Sequence, residues 1–264
     1  MSKNLFYLHY GAQCPGYRYM GSGARQMADA LDRNFYAVDV RKTPCYAHQH
    51  QMFFPGMIVL DDFSIVYPGT VEEMLLSYRL KGPVPGEMAF NPRVSGLIDE
   101  VKSLTADTCS QAAEICLGTG TRILEGIERK GNWISAEAET LKGGTAGLLG
   151  FTNDNPIAGV EFVLESRVPY PITHRRAGWI FITCLYSSPS SEDDYRPDML
   201  NNLLKWARKM GYQGISAVSG RETPYPNGPL STFQSQGFSV VESLGQVLLK
   251  HKWEPIHFTE KRFI

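Results

Sequence analysis

The stretch from Trp179 to Leu204 constrains the fold most. It reads as a buried strand, a polar loop and an amphipathic helix. Trp179 to Tyr186 (WIFITCLY) is almost unbroken in apolar, aromatic and β-branched residues, as suits a strand covered on both faces. Ser187 to Asp194 is the loop, and it holds Pro189. Pro197 falls in the first helical turn, where a missing N–H costs nothing. Leu200, Leu203, Leu204 and Ala207 follow at helical spacing. Lys205, Arg208 and Lys209 suit the negative end of the helix dipole, and Gly211 is the natural stop. A strand end facing a helix N-terminus gathers unpaired backbone N–H groups, an arrangement that favours an anion.

The rest of the chain is ordinary in bulk. Its 264 residues allow one large or two small domains, and 43% hydrophobic with 20% charged residues fits a real core. A net charge of -1 argues against a nucleic-acid partner, and no basic stripe is interleaved with aromatics. No apolar run approaches the roughly 20 residues of a membrane span. The first residues, MSKNLFYLHYGAQ, with one lysine and a short apolar run, are not expected to act as a signal peptide. Five cysteines (14, 45, 109, 116 and 184) without framework spacing fit a reducing cytoplasm.

In the first third, Leu5–Tyr10, Asn34–Val40, Met52–Leu60 and Phe63–Tyr67 are strand candidates, the last two joined by a turn at Asp61-Asp62. Ala24–Asp32 is helical, and Thr70 with Glu73 forms a capping box opening a helix to Leu80. The order β-α-β-β-β-α resembles the thioredoxin fold. Cys14, in Gln13-Cys14-Pro15-Gly16-Tyr17, stands where that family keeps its redox cysteine. Pro55 stands where it keeps a cis proline. Tyr17 replaces the second cysteine, so the resemblance implies at most a single redox thiol, Cys14; packing or recognition is the other reading. Cys45, His48 and His50 are close together, but the ligand count is incomplete, so a polar loop is expected and no metal.

Lys81–Arg93 (KGPVPGEMAFNPR), with three prolines and two glycines, is the expected linker. It divides the chain into a thioredoxin-like domain over 1–80 and a second domain over 94–264. The second domain reads as a strand at Ile98–Leu104, helices toward Gly118 and over Arg122–Arg129, and a hairpin of Thr145–Thr152 with Ala158–Glu165. The opening strand and helix follow. Then come a strand at Ile215–Val218, a helix at Ser231–Gln236, and a hairpin of Phe238–Glu242 with Gln246–Lys250. ITCLYSSP, DYRPDMLNNLLKWARKMGYQGI and GPLSTFQSQGFSVVESLG resemble the central strand, cofactor-loop helix and closing hairpin of GNAT acetyltransferases. The fold class expected is therefore α/β (α+β), with a GNAT-like mixed sheet after the thioredoxin-like domain.

That resemblance implies acyl transfer from acetyl-CoA, or another acyl-CoA, to an amine. Cys184, Leu185 and Tyr186 match the main-chain positions that pair with the pantetheine arm. Arg196 matches the first position of the family's Arg-x-x-Gly-x-Gly loop, with Met199 and Asn201 where glycines are expected. Asn201 tolerates unusual backbone angles, and Glu192, Asp193 and Asp194 oppose a diphosphate. The family's tyrosine acid is matched by Phe233, which has no proton to give, so Tyr225, Ser231 or Thr232 are the substitutes. Glu161 and Glu165 are candidate bases, Glu161 lying between apolar neighbours where its pKa can rise; an outward strand residue is the plainer reading. Cys184 can be a nucleophile or a packing residue. His174, Arg175 and Arg176 can hold an anion or form a solvated turn. Two alternatives stay open: a non-catalytic ligand- or protein-binding GNAT fold, and a thiol-dependent activity at Cys14. Glu254–Ile264 carries Ile256, Phe258, Phe263 and Ile264, which can cover another surface.

Overall fold

A computed structural model of the chain describes residues 4–66, 69–86, 93–117, 121–223 and 227–263. The first unit runs β1 (Asn4–His9), α1 (Tyr17–Ala30), β2 (Asn34–Asp39), α2 (Pro44–Gln49), β3 (Gly56–Leu60), β4 (Phe63–Ile65) and α3 (Val71–Leu80). Its sheet has the order β2-β1-β3-β4. β1 and β2 are parallel; the other pairs are antiparallel.

Two local expectations change here. α1 begins at Tyr17 rather than Ala24, so Gly21 and Gly23 lie inside the helix. Cβ atoms there would lie 3.3 Å from the Tyr7 ring and 3.2 Å from Met74 Cε, so tight packing of the strand and α3 outweighs the glycines' helix penalty. The segment expected as a polar loop around Cys45 and His48 is the helix α2, which Pro44 opens at its first position.

The capping box is present: Thr70 Oγ1 accepts from Glu73 N at 3.3 Å, and Thr70 N donates to Glu73 Oε2 at 2.8 Å. Thr70→Ala should therefore lower stability by about 1 kcal/mol, read as a shift of the urea midpoint at unchanged slope.

The second unit runs β5 (Glu100–Ser103), α4 (Cys109–Leu117), α5 (Thr121–Ala138), β6 (Gly147–Thr152), β7 (Asn155–Leu164), β8 (Trp179–Ser187), α6 (Arg196–Lys209), β9 (Gly214–Gly220), α7 (Leu230–Ser235), β10 (Ser239–Leu248) and β11 (Trp253–Arg262). Its seven-stranded sheet has the order β10-β11-β9-β8-β7-β6-β5, and only β8–β9 is parallel. The protein is thus a mixed α/β fold with two mixed sheets. Asn153 and Asp154 turn the β6–β7 hairpin with φ of 48° and 63°, the left-handed pair that a two-residue type I′ loop requires.

α5 is longer than the expected Arg122–Arg129 and runs on through Gly131 to Ala138. A Cβ on Gly126 would lie 2.5 Å from the Pro15 carbonyl oxygen, so that glycine lets the first unit's backbone approach the helix. The expected closing hairpin is also corrected. Residues on both sides of Gly245 form one irregular strand, β10, whose partner is the C-terminal β11. Ile256 and Phe258 therefore face the protein's own core instead of another surface.

The two units pack together. Leu8, Tyr10, Val40 and Phe54 share one hydrophobic cluster with Trp133, Tyr170 and Phe181. Val84 N, within the segment expected as a linker, donates to Lys250 O at 2.9 Å. Among the described residues, no helix is long and apolar enough to cross a membrane.

Candidate active site

The site begins with an irregularity in the central strands. Glu161 pairs with Cys184 and Phe162 with Ile182, so Thr183 is an extra residue on β8. A bulge of this kind bends its strand. The parallel pairing of β8 with β9 runs only from Trp179–Gly214 to Ile182–Ala217 and stops at the bulge, although both strands continue. Beyond it the strands part. Asn227 bridges the opening: its Oδ1 accepts from Leu185 N at 3.0 Å, and its Nδ2 donates to Val218 O at 2.8 Å.

Beside the opening lies a buried polar cluster. Lys130 and Glu161, each with a side chain 2% exposed, meet at 2.5 Å between Nζ and Oε1. Lys130 Nζ also donates to Gln13 O at 3.0 Å. Tyr186 OH donates to Glu161 Oε1 at 3.1 Å, and Gln13 Nε2 donates to Glu161 Oε2 at 2.9 Å and to Thr183 Oγ1 at 2.6 Å. Thr183 Oγ1 in turn donates to Glu161 O at 3.1 Å. Burial pulls the Lys130 ammonium down, but the Glu161 carboxylate and its hydrogen bond outweigh it and hold the pKa above the usual lysine value. Burial, with Glu161 adding to it, pushes the Tyr186 phenol up, so the phenol keeps its proton.

Cys14, Cys116 and Cys184 surround this cluster. Each keeps part of its surface accessible, yet dehydration is the leading influence on all three and pushes each thiol up. At Cys14 the Gly16 backbone and Lys130 pull in the other direction without prevailing. An activated thiolate needs the opposite shift.

The loop between β8 and α6 is held by its own side chains. Arg93 Nη1 donates to Ser188 O and Ser191 O at 2.7 and 2.9 Å. Arg196, 6% exposed, clasps Asp194 through Nε and Nη2 at 2.8 and 2.7 Å, and Arg196 N donates to the same carboxylate at 3.0 Å. The anion at the α6 N-terminus is thus Asp194, a residue of the chain itself. Asn201 Nδ2 reaches Asp198 Oδ1 at 3.4 Å, and Asp198 Oδ2 accepts from Ile98 N at 2.9 Å.

Of the residues singled out in the sequence, the structure brings Glu161, Cys184, Leu185 and Tyr186 together, with Cys14 arriving from the first unit. Arg196 and Asn201 lie on α6, turned to carboxylates. Tyr225 lies outside the described residues. Phe233 is fully buried against Phe238, ring centroids 5.2 Å apart. Glu165, also fully buried, is committed to Arg176 at 2.8 Å and Ser216 Oγ at 2.7 Å. Arg176 also bonds Glu260 at 2.6 Å and lies 3.5 Å from the Trp179 ring centroid. Among the described residues, no three His, Cys, Asp or Glu side chains are placed to hold a metal.

Sequence reasoning missed Gln13, Lys130, Thr183, Asn227 and the Asp194–Arg196 clasp. Lys130 carried a signal: with Ile127, Trp133, Ile134 and Glu137 it occupies the apolar spacing of α5, where a lysine needs a buried partner.

No protein-family model matches the chain, and no curated protein matches it. Solved N-acetyltransferase structures are similar to its larger part. A ribosomal-protein-alanine N-acetyltransferase from Brucella melitensis is 16% identical, with a TM-score of 0.47, over 62% of this chain and 99% of that one. An N-acetyltransferase from Staphylococcus aureus Mu50 is 14% identical, with a TM-score of 0.48, over 62% of this chain and 97% of that one. The PaiA N-acetyltransferase from Thermoplasma acidophilum, in complex with coenzyme A, is 15% identical, with a TM-score of 0.42, over 62% of this chain and 98% of that one.

Proposed function

We propose that the chain is an N-acyltransferase that takes an acetyl or related acyl group from a coenzyme A thioester and passes it to an amine. The reading takes residues 94–264 as a GNAT-like domain, 1–80 as a thioredoxin-like domain packed on it, and 81–93 as the linker. The observation that carries it is the parting of β8 from β9 after Ile182, beside the buried Glu161–Lys130–Tyr186 cluster. An extended pantetheine arm fits such an opening, since β8 there has main-chain groups without a β9 partner. Free cysteines at all described positions support a reducing, cytoplasmic setting.

The two ends of a coenzyme A molecule fare differently. The diphosphate does not fit the α6 N-terminus: Asp194 already holds Arg196, and Pro197 has no N–H to offer. The pantetheine arm fits once Asn227 releases Leu185 N. Glu161 is the proposed carboxylate base, and it is reached only by loosening its bonds to Lys130, Tyr186 and Gln13. Release of free coenzyme A thiol from acetyl-CoA, followed against a panel of amines, tests the activity. No thiol release and no calorimetric binding at about 1 mM would exclude it.

A second reading is favoured by Asn227 itself: a binding protein whose cleft is filled by its own chain. Asn227→Ala separates the two. In a transferase, removing this internal competitor should tighten acetyl-CoA binding about tenfold. In the binding protein, wild type and variant should both fail to bind it.

A further inference from the structure

A separate cavity of ≈ 390 Å³ lies in the seam between the two units, lined by Tyr10, Arg41 and His48 from the first and by Glu137, Arg167 and Arg175 from the second. Its size is within the range that small-molecule sites occupy, roughly 300–1,000 Å³. Three guanidiniums line it, and two of them, Arg167 and Arg175, are weakly neutralised. Arg175 donates to the carbonyls of Val168 and Tyr170 and approaches His48 Nε2 at 3.2 Å. Its hydrogen-bond partners among the described residues include no carboxylate. Arg167, with a side chain 51% exposed, meets Glu137 Oε2 only at 3.7 Å, beyond hydrogen-bond reach. Arg41 is paired: its Nη2 donates to Asp39 Oδ2 at 3.3 Å, while Asp39 Oδ1 accepts from the backbone N–H groups of Gly11 and Arg41.

Glu137 supplies the second observation. It is 3% exposed, it lines the cavity, and among the described residues its Oε2 has no hydrogen-bond partner, only the 3.7 Å contact with Arg167. A buried carboxylate oxygen without a partner is costly unless something completes it. Burial pushes its carboxyl up, against the pull of Arg167 and Arg41. Gathering like charges costs energy. Arg175 is also fixed by two backbone carbonyls, which sets its guanidinium in place before any ligand arrives.

We propose that this cavity binds a small polyvalent oxyanion, its charged oxygens held by Arg41, Arg167 and Arg175 and a hydroxyl or acid proton of the ligand directed at Glu137. A phosphomonoester and a hydroxylated polycarboxylate share that chemistry. The ligand touches both units, so binding also fastens the seam.

Inorganic phosphate and citrate are the probes, each titrated calorimetrically into the full chain with ionic strength matched by sodium chloride, because exposed arginines respond to any salt. Saturable binding of at least one probe, with a rise in the unfolding midpoint, is the expected result. Phosphate alone points to a phosphate-bearing ligand, and citrate alone to a carboxylate. The Arg41→Gln/Arg167→Gln double variant should bind about tenfold more weakly or worse. Its midpoint without ligand should fall modestly, since Glu137 and Asp39 each lose a cation, so its fold is checked by circular dichroism before affinities are compared. No saturable binding of either probe overturns the proposal. So does unchanged affinity in a double variant that folds normally.

Discussion

Replacing Lys130 with methionine will destabilise the protein by about 3–5 kcal/mol, the usual loss when one member of a buried ion pair is removed. The loss comes less from the missing attraction than from what remains. Glu161 stays 2% exposed with a carboxylate that only Tyr186 and Gln13 still satisfy. The Gln13 carbonyl loses its donor as well, so the loop after β1 loses a tie to α5. The Lys130→Met/Glu161→Gln double variant should be less damaged than Lys130→Met alone, since it carries no unpaired buried charge. Urea unfolding of the wild type, both single variants and the double gives the coupling directly. The sign of the pH dependence is fixed. Lys130 is held above its ordinary pKa, so its contribution is complete below that value and is lost only as pH rises through the folded-state value. The cost of Lys130→Met should therefore be flat across neutral pH. A cost below about 1 kcal/mol, the ordinary worth of a surface pair, would mean that water reaches the pair.

This cluster also shows what the sequence could reveal. β8 and α6 were legible because local rules agree there: an unbroken apolar run, Pro197 in the first turn, and Gly211 past the last turn with φ of 71°. The Thr70–Glu73 box is similarly local. Glu161, Cys184 and Tyr186 come together because neighbouring strands carry them. Gln13 and Lys130 do not share that advantage: they reach Glu161 across 148 and 31 residues of chain. Glycine misled in two places. Gly21 and Gly23 lie inside α1, where Tyr7 and Met74 pack against them, and at Gly245 an apparent turn is an irregularity within one strand. Arg196 opens α6, and no spacing rule predicts that Asp194, two residues earlier, takes both its guanidinium and its amide. Local pattern locates elements; burial decides which charges are spoken for.

Acid will weaken the wild-type protein more than His9→Phe, by about 3 kcal/mol between pH 6.5 and pH 4. His9 lies on β1 opposite Asp39 of β2 and Gly56 of β3, 9% exposed, with its ring centroid 4.4 Å from that of Tyr17. Among the described residues its Nδ1 has no hydrogen-bond partner. Burial is the main influence on its imidazole; Asp39 opposes it, while Arg41, Arg129 and Lys42 add to it, leaving a pKa of about 4. In the unfolded chain the same group titrates near the ordinary 6.5. Between those values the unfolded state binds a proton that the folded state refuses, so stability falls as pH falls through the window and levels off below it. Phenylalanine keeps the ring against Tyr7 and Tyr17 but cannot take the proton, which removes only that slope. Other carboxylates contribute equally to both proteins and cancel in the difference. Urea midpoints for the pair at pH 7, 5.5 and 4 measure it, and parallel losses would show that the imidazole is already charged in the folded chain, with Asp39 as its counter-ion.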